Sequence, residues 1–149
     1  MEALLSSSAT TSSLLDQINL ARVSRNISSI YFQHDKNVNL AINTLRSALK
    51  PLEETHPETL TSLTTGSLEE REKFGASLDV PTKRLVLDVA MMNADIGWAS
   101  LHNATEHDLR KDPSISEGLT ASLKILESID SRGAYLSRTL MITARMLHR

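Results

Sequence analysis

The chain has 149 residues, of which 40% are hydrophobic and 23% charged, and its formal net charge is −2. This length favours one domain with a core of its own, and the composition is that of an ordinary globular protein. The acidic balance and the 3% of aromatic residues argue against a nucleic-acid-binding surface, and the absence of cysteine excludes disulfides, thiolate catalysis and cysteine-ligated metals.

Helical periodicity dominates the sequence, and no segment alternates apolar and polar residues as a strand does. We therefore predict an all-α protein, a helical bundle of about four main helices arranged as two antiparallel hairpins, plus one or two short helices. Residues 1–12 are predicted to form a flexible N-terminal tail, with a first helix that already starts at Leu4 as the alternative, and residues 13–149 a single helical domain. That domain divides into a hairpin over 13–52, a connector over 53–80 and a long hairpin over 81–149.

The N-terminal tail is rich in serine and threonine and lacks the basic start of a signal peptide. We therefore expect a cytoplasmic or nuclear protein.

Two apolar stripes predict the first hairpin. One helix is expected over 13–33, capped by Ser13, and another over about 36–50, capped by Asp35. Pro51 disfavours helical geometry at the residue before it, so the second helix is expected to end, kink or restart there. The stripe of the first helix consists of Leu15, Ile18, Leu20, Val23, Ile27 and Ile30. The stripe of the second consists of Ile42, Leu45, Leu49 and Leu52.

The connector is predicted to hold two short helices. Pro57 begins one, and the capping box Ser67–Glu70 begins the other. Glu53 and His56 have the i, i+3 spacing of carboxylate-bridged metal bundles, but such a site needs a second pair and two further glutamates. Because only one pair is found, we predict no metal site and no cofactor.

The longest apolar segment, from Pro81 to His107, predicts the central helix of the bundle. Pro81 suits the first turn of a helix, and Asp79 stands where it can cap that turn. Two neighbouring apolar stripes run along the segment, which is typical of a helix packed by several neighbours. It is not a membrane span, because polar residues interrupt it: Asp88, Asn93, Asp95 and His102.

A polar stripe follows one face of this central helix: Asp88, Asp95, His102 and Glu106. Carboxylates and a histidine on one face suit a metal or acid–base site, an internal pocket, or an edge that faces solvent or a partner. Because the chain shows no second half of a catalytic or metal site, we predict no catalytic residue and no metal ligand. The candidate partner-binding residues are Asp88, Met92, Asp95, Trp98 and His102.

One long last helix is predicted over 114–147, with Asp112 as its cap and Pro113 at its first position. Gly133, inside this helix, either lets a neighbouring helix come close or marks a bend. The arginines near the end of the helix, Arg138 among them, suit the negative end of the helix dipole or an acidic partner. With the central helix, this element would form the long hairpin.

The first hairpin carries a recurrent set of polar, aromatic and small residues: Asn26, Tyr31, Ala41, Ala48 and Leu49. With this set, residues 18–52 resemble a tetratricopeptide repeat and, equally, the helical hairpin of microtubule-interacting-and-transport domains. The early tryptophan and the turn glycine of the tetratricopeptide pattern are missing. The resemblance implies a helical scaffold that binds peptides or partner helices.

These features together predict a protein–protein interaction module, either an adaptor or a small structural subunit of a larger complex. Its partners are expected to be proteins, with a homodimer through the two long helices as the preferred version, and an enzyme is the less favoured class. The alternative is a helical-bundle enzyme or a ligand- or metal-binding protein that uses the polar stripe of Asp88, Asp95, His102 and Glu106.

Overall fold

The computed structural model describes residues 2–101, 113–129 and 133–148. These residues form seven helices and no strand, which confirms the predicted all-α bundle. The helices are α1 Glu2–Gln33, α2 Val38–Thr55, α3 Pro57–Thr64, α4 Leu68–Ser77, α5 Val80–Leu101, α6 Pro113–Ile129 and α7 Ala134–His148. Across the described parts of the chain, every helix is too short or too polar to cross a membrane.

Helix α5 is the one around which the bundle packs, as predicted. It is contacted by α1, α2, α6 and α7, because a helix that is apolar around its circumference needs neighbours on every side. Its buried apolar side chains are Leu85, Val86, Val89, Ala90, Met91, Met92, Ala94, Ile96 and Ala99. The remainder of the predicted central segment, 102–107, lies outside the described residues.

Two predicted helix caps are confirmed. The carboxylate of Asp79 accepts a hydrogen bond from the Thr82 amide at 2.9 Å and so begins α5. The hydroxyl of Ser67 accepts one from the Glu70 amide at 3.2 Å and begins α4. Each bond satisfies an amide that has no partner within the first turn of its helix.

The predicted cap of α2 is wrong. Asn37, not Asp35, accepts the hydrogen bond of the Leu40 amide, at 3.1 Å. Lys36 lies between them with a φ of +57°, and this left-handed turn leaves Asn37 directly before the first helical residue. At the other end α2 continues through Pro51 to Thr55, so the proline neither ends nor restarts the helix.

Both pairs of main helices are antiparallel. In the first pair, the Ser28 hydroxyl of α1 donates a hydrogen bond to the Ala41 carbonyl of α2 at 3.0 Å. In the second pair, the Ser122 hydroxyl of α6 donates to the Ala90 carbonyl of α5 at 2.7 Å. Small residues at these contacts let the backbones approach closely. At Gly97 of α5, an added Cβ would lie only 2.8 Å from the Leu119 side chain.

The predicted last helix over 114–147 is wrong as a single element. It is divided into α6 and α7, with a bend at Gly133, and α7 packs back on both α5 and α6. Both halves bury apolar residues, among them Leu126 in α6 and Ile142 in α7. The apolar period therefore continues across the break, so the sequence pattern does not indicate where one helix ends. Of the two roles predicted for Gly133, a close helix contact or a bend, the structure shows the bend.

Helix α1 also departs from the prediction, at its start and in its orientation. It begins at Glu2 rather than at Ser13, so residues 2–12 belong to the first helix. The side of α1 that packs on the bundle is formed by Ile18, Ala21, Ser24, Arg25 and Ser28. Most of its apolar stripe points away from the core: Leu15, Leu20, Val23, Ile27 and Ile30 are 38–57% exposed.

Candidate functional site

The polar stripe of α5 lies against arginines of two other helices. The Nε of Arg25, on α1, donates a hydrogen bond to Oδ2 of Asp95 at 2.9 Å. A terminal nitrogen of Arg138, on α7, lies 3.4 Å from Oδ1 of the same carboxylate. Asp95 thus joins three helices, and we call this arrangement the arginine clamp: Arg25, Asp95 and Arg138.

Asp88 lies two helical turns before Asp95 on α5 and is more deeply buried. It is 7% exposed, and its Oδ1 is 3.9 Å from a terminal nitrogen of Arg25. Its buried Oδ2 has no hydrogen-bond partner among the described residues. Burial raises the pKa of Asp88 because it disfavours the charged form, and the positive charges of Arg25 and Arg84 only partly oppose that rise.

Beside the clamp lies an open cleft of about 570 Å³, which is lined by residues of α1, α5 and α7. The charged groups that the described residues contribute to its lining are three guanidinium groups and one carboxylate, from Arg22, Arg25, Arg138 and Asp95. Its aromatic lining comes from Phe32 of α1 and Trp98 of α5. We call this space the arginine cleft.

The structure distributes the predicted partner-binding residues over different environments. Met92 is fully buried in the core and has no surface to offer. Asp88 and Asp95 enter the ion pairs with Arg25, and half-buried Trp98 lines the arginine cleft. His102, and Glu106 of the alternative reading, lie outside the described residues.

No metal centre is assembled within the described ranges, where no three histidine or carboxylate side chains meet as a metal would require. Of the Glu53–His56 pair, the histidine contacts helix α1. Nε2 of His56 is 2.7 Å from the side-chain oxygen of Gln17 on α1, so this ring fastens the end of α2 to α1. Burial lowers the pKa of His56, which favours the neutral ring in that contact.

A second surface is the exposed apolar side of α1, which we call the α1 face: Leu20, Val23, Ile27 and Ile30. It lies on the opposite side of α1 from Ala21 and Ser28, which pack on the bundle. Scattered exposed apolar residues are normal on a soluble protein, whereas a continuous row of large ones usually marks an interaction surface. Leu40 of α2, which is also exposed, continues this surface beside Leu20.

Sequence reasoning identified Asp88 and Asp95 but not their partners. The seven-residue spacing shows that both lie on one side of α5. Nothing in that local pattern indicates that Arg25 and Arg138, which are 70 and 43 positions from Asp95 in the sequence, lie against this side of α5. Two weak signals were available: Arg25 stands on the side of α1 opposite its apolar stripe, and Arg138 belongs to the arginines that suit an acidic partner.

Comparison with protein-family models, with curated proteins and with solved structures found no match to this chain. The resemblance of residues 18–52 to helical repeat hairpins therefore stays an observation on a few residues, and function must be argued from the two surfaces.

Proposed function

We propose that this protein is a protein–protein interaction module, a small structural subunit, and that it assembles through the α1 face. The occupant that we propose for this face is a second copy of the chain. The observation that carries the proposal is the row of four large apolar side chains exposed on α1 while small and polar residues face its own core.

The apolar surface provides the driving force. Half-burying a large aliphatic side chain contributes about 1 kcal/mol, so four residues from each of two copies would contribute about 8 kcal/mol before the entropy cost of association. In the isolated chain this surface stays in water. Leu40 and the shallow groove between α1 and α2 enlarge the area that a partner helix would cover.

The spacing of the row favours a second copy in antiparallel orientation. Leu20, Val23, Ile27 and Ile30 are separated by three, four and three residues, and this order is the same in both directions. Two antiparallel α1 helices can therefore place Leu20 opposite Ile30 and Val23 opposite Ile27, as an isologous dimer requires.

Charge is compatible with the same arrangement. The row itself is uncharged, so two copies do not bring like charges together at its centre. Asp16 continues the row at its N-terminal end, and Lys36 lies just beyond its C-terminal end. An antiparallel dimer brings these opposite charges toward each other, which favours this orientation over the parallel one.

The proposed interface lies on α1 and not on the two long helices, where the sequence led us to expect it. Dimerisation through the central helix would need exposed apolar surface there, and α5 is enclosed by α1, α2, α6 and α7. The α1 face is the surface that the bundle leaves uncovered on its first helix. A role as adaptor or subunit follows if the dimer, or this same face, then meets further proteins.

Sedimentation equilibrium of the purified full chain tests the proposal. We expect a dimer for the wild-type chain and a monomer for Ile27→Asp, because a carboxylate at the centre of the apolar contact would lose its hydration. Leu68→Asp is the matched control, since Leu68 is exposed to a similar extent on the distant helix α4. That variant should remain dimeric.

Two outcomes would count against this dimer. A wild-type chain that stays monomeric, with no protein co-purifying, would contradict the interaction module as a whole. A co-purifying protein that is lost in Ile27→Asp would instead replace the second copy by another partner on the same face.

The absence of native cysteine allows a test of orientation. Val23→Cys and Ile27→Cys chains, mixed and oxidised, should form mainly the mixed disulfide, because the antiparallel dimer places position 23 opposite position 27. Preferential 23–23 and 27–27 disulfides would indicate parallel helices and would contradict the proposed arrangement.

A further inference from the structure

We infer that the arginine cleft binds an organic phosphate, a phosphomonoester attached to an aromatic or apolar body. The charge, the shape and the lining of this cavity indicate such a ligand, and the cavity plays no part in the proposed dimer contact.

The charges that line the cleft are unbalanced. Among the described residues of the lining, Arg22, Arg25 and Arg138 carry three positive charges and Asp95 carries one negative charge, which leaves an excess of two. Asp88, below Arg25, offsets part of that excess. A phosphomonoester carries about −1.5 to −2 charges at pH 7, and the positive charge that remains attracts it.

Two of the arginines are held in position before any ligand arrives. Arg25 and Arg138 bind opposite oxygens of Asp95, which fixes both guanidinium groups at the edge of the cleft. Arginine presents several N–H groups in one plane, so a group that uses one or two of them on a carboxylate retains others for a phosphate. Such preorganisation lowers the entropy cost of binding.

Arg22 completes the site from the exposed side of α1. It forms no ion pair with the carboxylates of the described residues. An anion that enters the cleft is therefore the natural partner for its charge.

The walls favour a ligand with a flat or apolar body. Phe32 and Trp98 line the same cavity as the three arginines, and both are half-buried. The volume of about 570 Å³ falls within the usual range of small-molecule sites. A bare phosphate ion would use only the arginines of the cleft, whereas an aryl or nucleoside phosphate would also contact Phe32 and Trp98.

Trp98 gives a direct readout, since it is the single tryptophan of the chain and lines the cleft. Phenyl phosphate, titrated at low salt into the full chain, should change its fluorescence saturably, and added salt should weaken the binding. Phenol and inorganic phosphate should each bind more weakly than phenyl phosphate, because each supplies only one of the two recognised parts.

Arg22→Ala is the decisive variant. Loss of one charge-assisted contact should weaken phenyl phosphate binding about ten-fold. The fold should persist, because Arg22 is exposed, and circular dichroism would verify this. Lys73→Ala removes an exposed positive charge from α4 and is the matched control, which should bind as the wild-type chain does.

A phosphotyrosine peptide and adenosine monophosphate separate the two sources of such a group. Tighter binding of the nucleotide would assign the cleft to a free metabolite, and tighter binding of the peptide would assign it to a modified protein side chain.

Three outcomes would overturn phosphate binding in the cleft: no saturable fluorescence change in the wild-type chain, equal affinity in Arg22→Ala, or an equal loss of affinity in Lys73→Ala. Failure of phosphate binding can be distinguished from failure of the dimer. Ile27→Asp should abolish the dimer in sedimentation but leave phenyl phosphate binding unchanged.

Discussion

Asp88 pairs with Arg25 but is expected to lower the stability of the fold. Its carboxylate is almost completely buried and one oxygen has no hydrogen-bond partner in the described part of the chain, while Arg25 approaches the other only to 3.9 Å. A buried charge with such incomplete compensation costs more than the ion pair returns. The raised pKa of this carboxyl expresses the same imbalance.

The pH dependence of Asp88→Asn tests this imbalance. Since the pKa of Asp88 in the folded chain lies above its ordinary value of 3.8, the stabilising contribution of the residue is fully present below pH 3.8 and is lost as the pH rises through the raised value. Asparagine does not titrate, so the stability of the variant relative to wild type should increase across that window and then level off.

Urea unfolding at a series of pH values would measure this difference. Glu72→Gln, a similar change at an exposed position of α4, provides the control and should give no such increase. A difference between Asp88→Asn and wild type that stays constant or falls as the pH rises would contradict the argument.

At the scale of the elements, helices α4 and α6 are held together by a close contact and a buried arginine. A Cβ added to Gly75 would lie 2.9 Å from the Ser128 carbonyl oxygen, so the two backbones approach here as closely as glycine allows. Nearby, Arg71 donates a hydrogen bond to the Lys124 carbonyl at 3.0 Å and approaches Glu127 at 3.5 Å. The short connector helix is thereby fastened to the second hairpin.

Gly75→Ala should therefore destabilise the protein although alanine is the better helix former. The gain in helix propensity is about 1 kcal/mol, whereas overpacking against a backbone atom costs about 1–3 kcal/mol, so we expect a net loss of about 1 kcal/mol. Gly118→Ala is the matched control, because its Cβ would meet the side-chain oxygen of Asn93, which can rotate away. Urea midpoints that move equally in both variants would contradict this explanation.

The elements also show how far the sequence predicts this structure. Helix α5 could be predicted because apolar residues on adjacent stripes are satisfied only by burial on several sides. The orientation of α1 could not, because a helical period shows that one side is apolar but not which side the neighbours cover. Its small residues, Ala21, Ser24 and Ser28, permit the closer packing and left the larger stripe outside.

The same reasoning applies to the candidate sites. The polar stripe of α5 could be identified in the sequence, but the ion pairs that Asp88 and Asp95 form with Arg25 were not predicted. The arginine cleft was not visible, since it exists only where α1, α5 and α7 converge. Such convergence depends on tertiary packing, and local spacing contains no information about it.

At the scale of the whole molecule, α1 carries both candidate surfaces on different sides. Arg22 and Arg25 line the cleft, while Val23 and Ile27 form the α1 face. The clamp between Arg25, Asp95 and Arg138 fixes α1 to the rest of the bundle. A second copy that covers the α1 face would therefore stabilise the folded bundle as a unit, and not only the helix that it touches.

This coupling predicts a thermal stability that depends on protein concentration. Association of folded chains alone shifts the unfolding equilibrium by mass action, so each tenfold rise in concentration contributes about 1.4 kcal/mol per dimer. For a dimer of this size that corresponds to an increase in Tm of about 2 °C. The Tm of the Ile27→Asp variant should not change with concentration, since its chains unfold as monomers.

Calorimetry across a hundredfold range of protein concentration distinguishes the wild-type chain from this variant. A constant Tm for a wild-type chain that sediments as a dimer would show that the chains stay associated after unfolding, which would contradict a contact made by folded chains alone.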